Sequence, residues 1–99
     1  MVMRRIIWSN IAKIKLFSIL EYYRERNKSN NYSKKLYKRF KVESQKLQKQ
    51  PEIGIKTDYE AVRGLIVDDF ILFYEITSEF VIIHTVWDCR QNPETLKIK

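Results

Sequence analysis

Two runs rich in β-branched and aromatic residues, 70–77 (FILFYEIT) and 79–88 (EFVIIHTVWD), stand on either side of the polar break Thr77-Ser78-Glu79 and end in the polar stretch Cys89 to Pro93. That composition predicts two strands paired as a hairpin with the break as its turn. Alternation sorts the second run into Val81, Ile83, Thr85 and Trp87 on one side and Phe80, Ile82, His84, Val86, Asp88 and Arg90 on the other. The first row has no charge and is expected against the core. On the first run, Phe70, Leu72, Tyr74 and Ile76 form an uninterrupted apolar row, leaving Ile71, Phe73 and Glu75 for the open side.

Upstream the period changes. Residues 4–8 (RRIIW) form a short strand candidate, and Ser9-Asn10 offer oxygens to cap a helix. Ala12, Leu16, Ile19 and Tyr23 then recur at helical spacing, with Phe17 and Leu20 widening the stripe, so 10–26 reads as an amphipathic helix. After the break NKSNN at 27–31, a second helix carries Ser33, Leu36, Tyr37, Phe40, Ser44 and Leu47 on one face, its lysines mostly off it, until Pro51 stops it and Gly54 turns the chain. Residues 59–67 (YEAVRGLIV) read as a further strand, with Asp68-Asp69 as a tight turn into the hairpin. Its row Tyr59, Ala61, Arg63 and Leu65 contains the one basic residue and is assigned to the open side. The expected fold is α+β, ordered β-α-α-β-β-β, an antiparallel sheet with a helical hairpin packed on one face. One domain, 1–99, accounts for the whole chain.

Charge changes the picture more than composition does. An apolar fraction of 44% suits a folded domain, and the net charge is +7. Residues 1–50 hold fourteen Lys/Arg against three acids, whereas residues 51–99 hold five against nine, so +11 faces −4. Such asymmetry points to a polyanionic partner such as nucleic acid, although lysine-rich helices are often only a solvated face. The lone Cys89 makes no internal disulfide, and neither a CxxC motif nor a Cys/His cluster suggests a metal. No cofactor is expected, and the absence of a long apolar run leads us to expect a cytoplasmic protein.

Several pieces, in order, resemble the RelE/ParE superfamily of toxins from bacterial type II toxin–antitoxin (plasmid stabilisation) systems. They are the strand into Trp8-Ser9, the helix with Ala12, Leu16, Ile19 and Tyr23, a lysine-rich helix leading to Leu47, Pro51 and Gly54, then Val62-Arg63, FILFYEI and Arg90-Gln91-Asn92-Pro93. The resemblance implies a growth-inhibiting toxin neutralised by a small, usually acidic antitoxin. It also implies one of two targets: RelE-like members cleave mRNA on the ribosome, and ParE-like members inhibit DNA gyrase without being nucleases.

RNA cleavage needs a base or acid and cations for the developing phosphorane charge. Arg63, His84 and Arg90 are the catalytic candidates in that case, with Trp87 or Tyr59 to stack a base. RelE-like nucleases usually carry Arg on the open face where Ile71 stands here, and no acid/base pair occurs at the C-terminus. The reading therefore leans ParE-like, with Ile71, Phe73, Gln91, Lys34 and Lys38 as candidate binding residues. A nuclease, or a nucleic-acid-binding module without catalysis, are the alternatives.

Overall fold

The computed structural model describes residues 3–90. Strand β1 (Arg5–Trp8) leads into helices α1 (Asn10–Asn27) and α2 (Asn31–Gln45), a short 3-10 turn (Lys46–Gln48), and strands β2 (Ile55–Lys56), β3 (Val62–Val67), β4 (Phe70–Ile76) and β5 (Phe80–Asp88). The strands form one five-stranded sheet in the order β1-β5-β4-β3-β2. Its pairs are antiparallel except β1 with β5, which is parallel. Among the elements, β2 is an added strand, β1 joins the sheet in parallel where an antiparallel sheet is expected, and β3 starts at Val62, because residues 59–61 are turn.

Local chemistry sets these boundaries. Ser9 caps α1, its Oγ accepting from the Ala12 N–H at 3.1 Å and donating to the His84 carbonyl at 2.8 Å, so one side chain both starts the helix and ties it to β5. Lys28 ends α1 in the left-handed region (φ 53°). Asp68 holds the β3–β4 turn in the same region (φ 54°), which Asp adopts more readily than most residues. Thr77 closes the β4–β5 turn, its Oγ1 accepting from the Phe80 N–H at 2.9 Å.

The helices cover one face of the sheet. Ala12, Leu16 and Tyr23 of α1 and Leu36 and Phe40 of α2 join Leu65, Val67, Phe70, Leu72, Tyr74, Val81, Ile83 and Val86 in the main core. Ser33 and Ser44 are buried within the α2 stripe, the Ser33 hydroxyl donating to the Leu20 carbonyl. Phe17 does not join them; it is 60% exposed. A second cluster, Val62, Phe73 and Trp87 with Ile71 against it, lies on the opposite face.

The alternation along β5 breaks at His84. Tyr74 pairs with Ile83 but Phe73 pairs with Thr85, so His84 is an extra residue in the ladder. Such a bulge flips every following side chain. Thr85 and Trp87 therefore lie opposite Phe73 and Ile71 on the open face, whereas Val86 and Asp88 lie opposite Leu72 and Phe70 on the helical side. The expected faces of Thr85, Trp87, Val86, Asp88 and Arg90 are thus corrected. So is that of β3: Arg63 pairs with Tyr74 and Leu65 with Leu72, which puts the Arg63 row on the helical side.

Candidate functional site

The residues singled out by sequence divide between three places. Arg63 lies on the helical side near the sheet edge. Its Nη1 donates to the carbonyls of Glu52 (3.2 Å) and Gly54 (3.0 Å), holding down the loop between the 3-10 turn and β2. Beside it the buried Tyr74 hydroxyl donates to the Pro51 carbonyl (2.7 Å) and accepts from the Gly54 N–H (2.9 Å).

Arg90 is also on the helical side, beyond the far end of β5. Its guanidinium chelates Asp88 (Nε to Oδ1 3.0 Å, Nη2 to Oδ2 2.8 Å), bonds the Tyr23 hydroxyl, and lies 5.6 Å from the Tyr23 ring centroid. Hydrogen bonding from Arg90 pulls the Asp88 carboxyl below its usual range, and the same bond raises Arg90 in turn. The arginine is exposed along one wall of a ≈ 700 Å³ cavity between α1 and the end of β5, whose other walls include Ile14, Ile19, Tyr22 and Tyr23.

His84 alone of the three faces the open side. Its Nε2 is 3.0 Å from Glu75 Oε1, both side chains being about three-quarters covered (21% and 26% exposed). Glu75 is an acidic partner for His84 that the sequence reading did not assign. The signal was present, because Glu75 is the one charge in FILFYEI and alternation already placed it on the open side.

These three candidates therefore do not converge. In sheet register Arg63, Tyr74 and Ile83 lie side by side, and Asp88 is opposite Phe70, four residues further along β4. At ~3.3 Å per residue and ~4.8 Å per strand, Arg63 and Asp88, the residue that Arg90 chelates, stand on the order of 16 Å apart along the sheet. His84 is on the other face from both.

Of the binding candidates, Ile71 is half-buried beside the second cluster and Phe73 is 6% exposed within it. Lys34 and Lys38 are fully on the surface of α2, and Gln91 lies outside the described residues. Among the described residues, no group of three or more His, Cys, Asp or Glu could hold a metal ion, and no helix is long and apolar enough to cross a membrane.

A feature not anticipated is a ≈ 530 Å³ groove where β1 meets both helices. Trp8, Leu16 and Phe40 are among its lining residues, as are the exposed Phe17 and Tyr37 and the lysines Lys13 and Lys41. Phe17 widened the expected core stripe of α1; it belongs instead to this groove.

A helical hairpin over one face of a small antiparallel sheet, with β1 added in parallel at its edge, defines the architectural class. Residues 6–93 match the family model for the ParE toxin of type II toxin–antitoxin system, parDE, and the chain belongs to that family, within the RelE/ParE superfamily of toxins. A solved structure described as the chromosomal ParDE TA system from P. aeruginosa shares the fold, with TM-score 0.75 at 17% identity, covering 85% of this chain and 94% of that one. No curated protein sequence matches significantly.

Proposed function

We propose that this toxin inhibits DNA gyrase and is held inactive by a short acidic antitoxin. The observation that carries the target is the dispersal of the cations. Cleavage of RNA needs phosphate-binding charge and proton transfer focused on one phosphodiester. Here Arg63 is engaged with loop carbonyls, Arg90 with Asp88 and Tyr23, and His84 lies on the opposite face. The family match to ParE toxins supports the same reading.

The groove between β1, α1 and α2 is our candidate for antitoxin docking. Its apolar floor and its lysines match an acidic amphipathic segment, whose apolar side chains would supply affinity and whose carboxylates would speed encounter.

The alternative, a ribosome-dependent endoribonuclease, draws on one observation: the His84–Glu75 contact, in which a carboxylate orients an imidazole. In that reading Arg63 and Arg90 are the phosphate ligands. Induction in cells separates the targets. Gyrase inhibition predicts growth arrest with relaxed plasmid DNA and intact mRNA, relieved by co-expression of the antitoxin. Arrest with mRNA cut on the ribosome and normally supercoiled plasmid would refute the gyrase reading.

A further inference from the structure

We propose that the outward face of α2, bearing Lys34, Lys35 and Lys38, binds the phosphodiester backbone of a nucleic-acid duplex. The inference does not depend on which enzyme the toxin blocks.

The chain has no acidic residue between Arg26 and Val42, a stretch that holds Arg26, Lys28, Lys34, Lys35, Lys38, Arg39 and Lys41. The α2 helix buries Ser33, Leu36, Phe40 and Ser44, so at 100° per residue Lys34, Lys35 and Lys38 project away from the core. All three are exposed, and among the described residues none has an ion-pair partner. The acids at the end of α1, Glu21 and Glu25, are taken by Arg24, while Glu43 serves Arg39 and Lys46. Lys28, at the tip of the helical hairpin, extends the positive surface.

These lysines do not serve the helix. The first turn of α2 contains no acid, and Lys34, at the end of that turn, opposes the helix dipole. Lys34 and Lys38 are also like charges at i,i+4, and Lys35 and Lys38 at i,i+3, each pair destabilising by a few tenths of a kcal/mol. A surface that costs the helix stability and has no ion-pair partner among the described residues fits an external polyanion. Lys34 and Lys38 are separated by ~6 Å along the axis at ~1.5 Å per residue. That is close to the through-space separation of two neighbouring phosphates on one strand. Whereas apolar side chains line the groove, this face is led by the exposed Lys34, Lys35 and Lys38, which favours a phosphate backbone over an amphipathic acidic segment.

The test is fluorescence anisotropy of the full chain with labelled duplex DNA and duplex RNA of the same length, at 50 to 200 mM salt, with no gyrase or ribosome present. Three released counterions give a slope of about −2.7 in log K against log salt, or roughly a 40-fold fall in affinity across that range. The variant K34Q/K35Q/K38Q should bind at least tenfold more weakly at 50 mM, lose that slope, and unfold at an equal or higher urea concentration. Comparable binding of DNA and RNA indicates recognition of the backbone alone; preference for one identifies the source. Binding and slope unchanged in the variant, no binding of either duplex at 50 mM salt, or a variant that is clearly less stable would each overturn the proposal. A lysine-dependent affinity for polyglutamate with none for either duplex would overturn it equally, in favour of an acidic protein.

Discussion

Replacing Tyr74 by Phe removes one oxygen from the centre of the molecule and tests what holds residues 51–54 in place. Tyr74 is fully buried, and its hydroxyl both donates to Pro51 and accepts from Gly54, 2.7 and 2.9 Å away. Phe keeps the ring, so no cavity opens. The loss is confined to two hydrogen bonds, leaving the Gly54 N–H buried without its partner, which costs about 1–3 kcal/mol. We expect about 2 kcal/mol, read in urea denaturation as a midpoint lowered by roughly 1–2 M with an unchanged slope. Arg63→Ala releases the same loop at its Glu52 and Gly54 carbonyls. The two substitutions share the Gly54 peptide, and a double-mutant cycle should show coupling of at least ~0.5 kcal/mol. Burial also raises the Tyr74 hydroxyl above its ordinary pKa, the Gly54 N–H and Arg63 partly offsetting this. Because the unfolded tyrosine ionises first, its contribution is complete below about pH 10 and fades as pH rises through the folded value, a dependence absent from Tyr74→Phe. A loss below about 0.5 kcal/mol, outside the range for an orphaned buried donor, would refute the latch. If Arg63→Ala abolished toxicity with stability intact, Arg63 would be a contact residue and not a loop anchor.

Ser9→Ala should cost about 1 kcal/mol, within the ~0.5–2 kcal/mol range for caps, since it uncaps α1 and removes the hydroxyl that donates to the His84 carbonyl; thermal unfolding reads it. Asp88, depressed mainly by its hydrogen bond from Arg90, contributes stability that is complete above its unfolded pKa of about 4 and is lost as pH falls through the folded value. An acid titration of Arg90→Ala should therefore lack that loss, and identical acid limbs in the two proteins would contradict the pairing. Phe17→Ser, at a side chain 60% exposed, should leave the unfolding free energy in urea within ~0.5 kcal/mol of the parent while weakening antitoxin binding at least tenfold by calorimetry. Full antitoxin affinity would move docking away from the groove between β1 and the helices.

The elements were legible where one pattern ran without interruption. Ser33, Leu36, Phe40, Ser44 and Leu47 keep helical spacing and are all buried, and the row Phe70, Leu72, Tyr74 and Ile76 needed only period-two alternation. The faces failed at two points for physical reasons. Parity along a strand carries no warning of an inserted residue, so the bulge at His84 sent Trp87 to the open cluster and Asp88 to the helical side. The adjacent polar pair His84-Thr85 was the only local trace. On β3 the single charge in the row predicts an open face. Arg63 instead reaches past the sheet edge to loop carbonyls, as a long arginine can while its stem stays on the apolar side. Strand β2, two residues long, is below what alternation can register. The groove was not legible because it depends on the mutual placement of Trp8, Phe17, Tyr37 and Phe40 across three elements.

Supercoiling of relaxed plasmid by purified DNA gyrase, with the purified toxin added in increasing amounts, bears most directly on the proposed target. Dose-dependent loss of supercoiling, reversed by a stoichiometric acidic antitoxin, is the expected result. Unimpaired supercoiling at toxin concentrations that cut mRNA on programmed ribosomes would contradict it, and would return His84, Glu75, Arg63 and Arg90 to the centre of the chemistry.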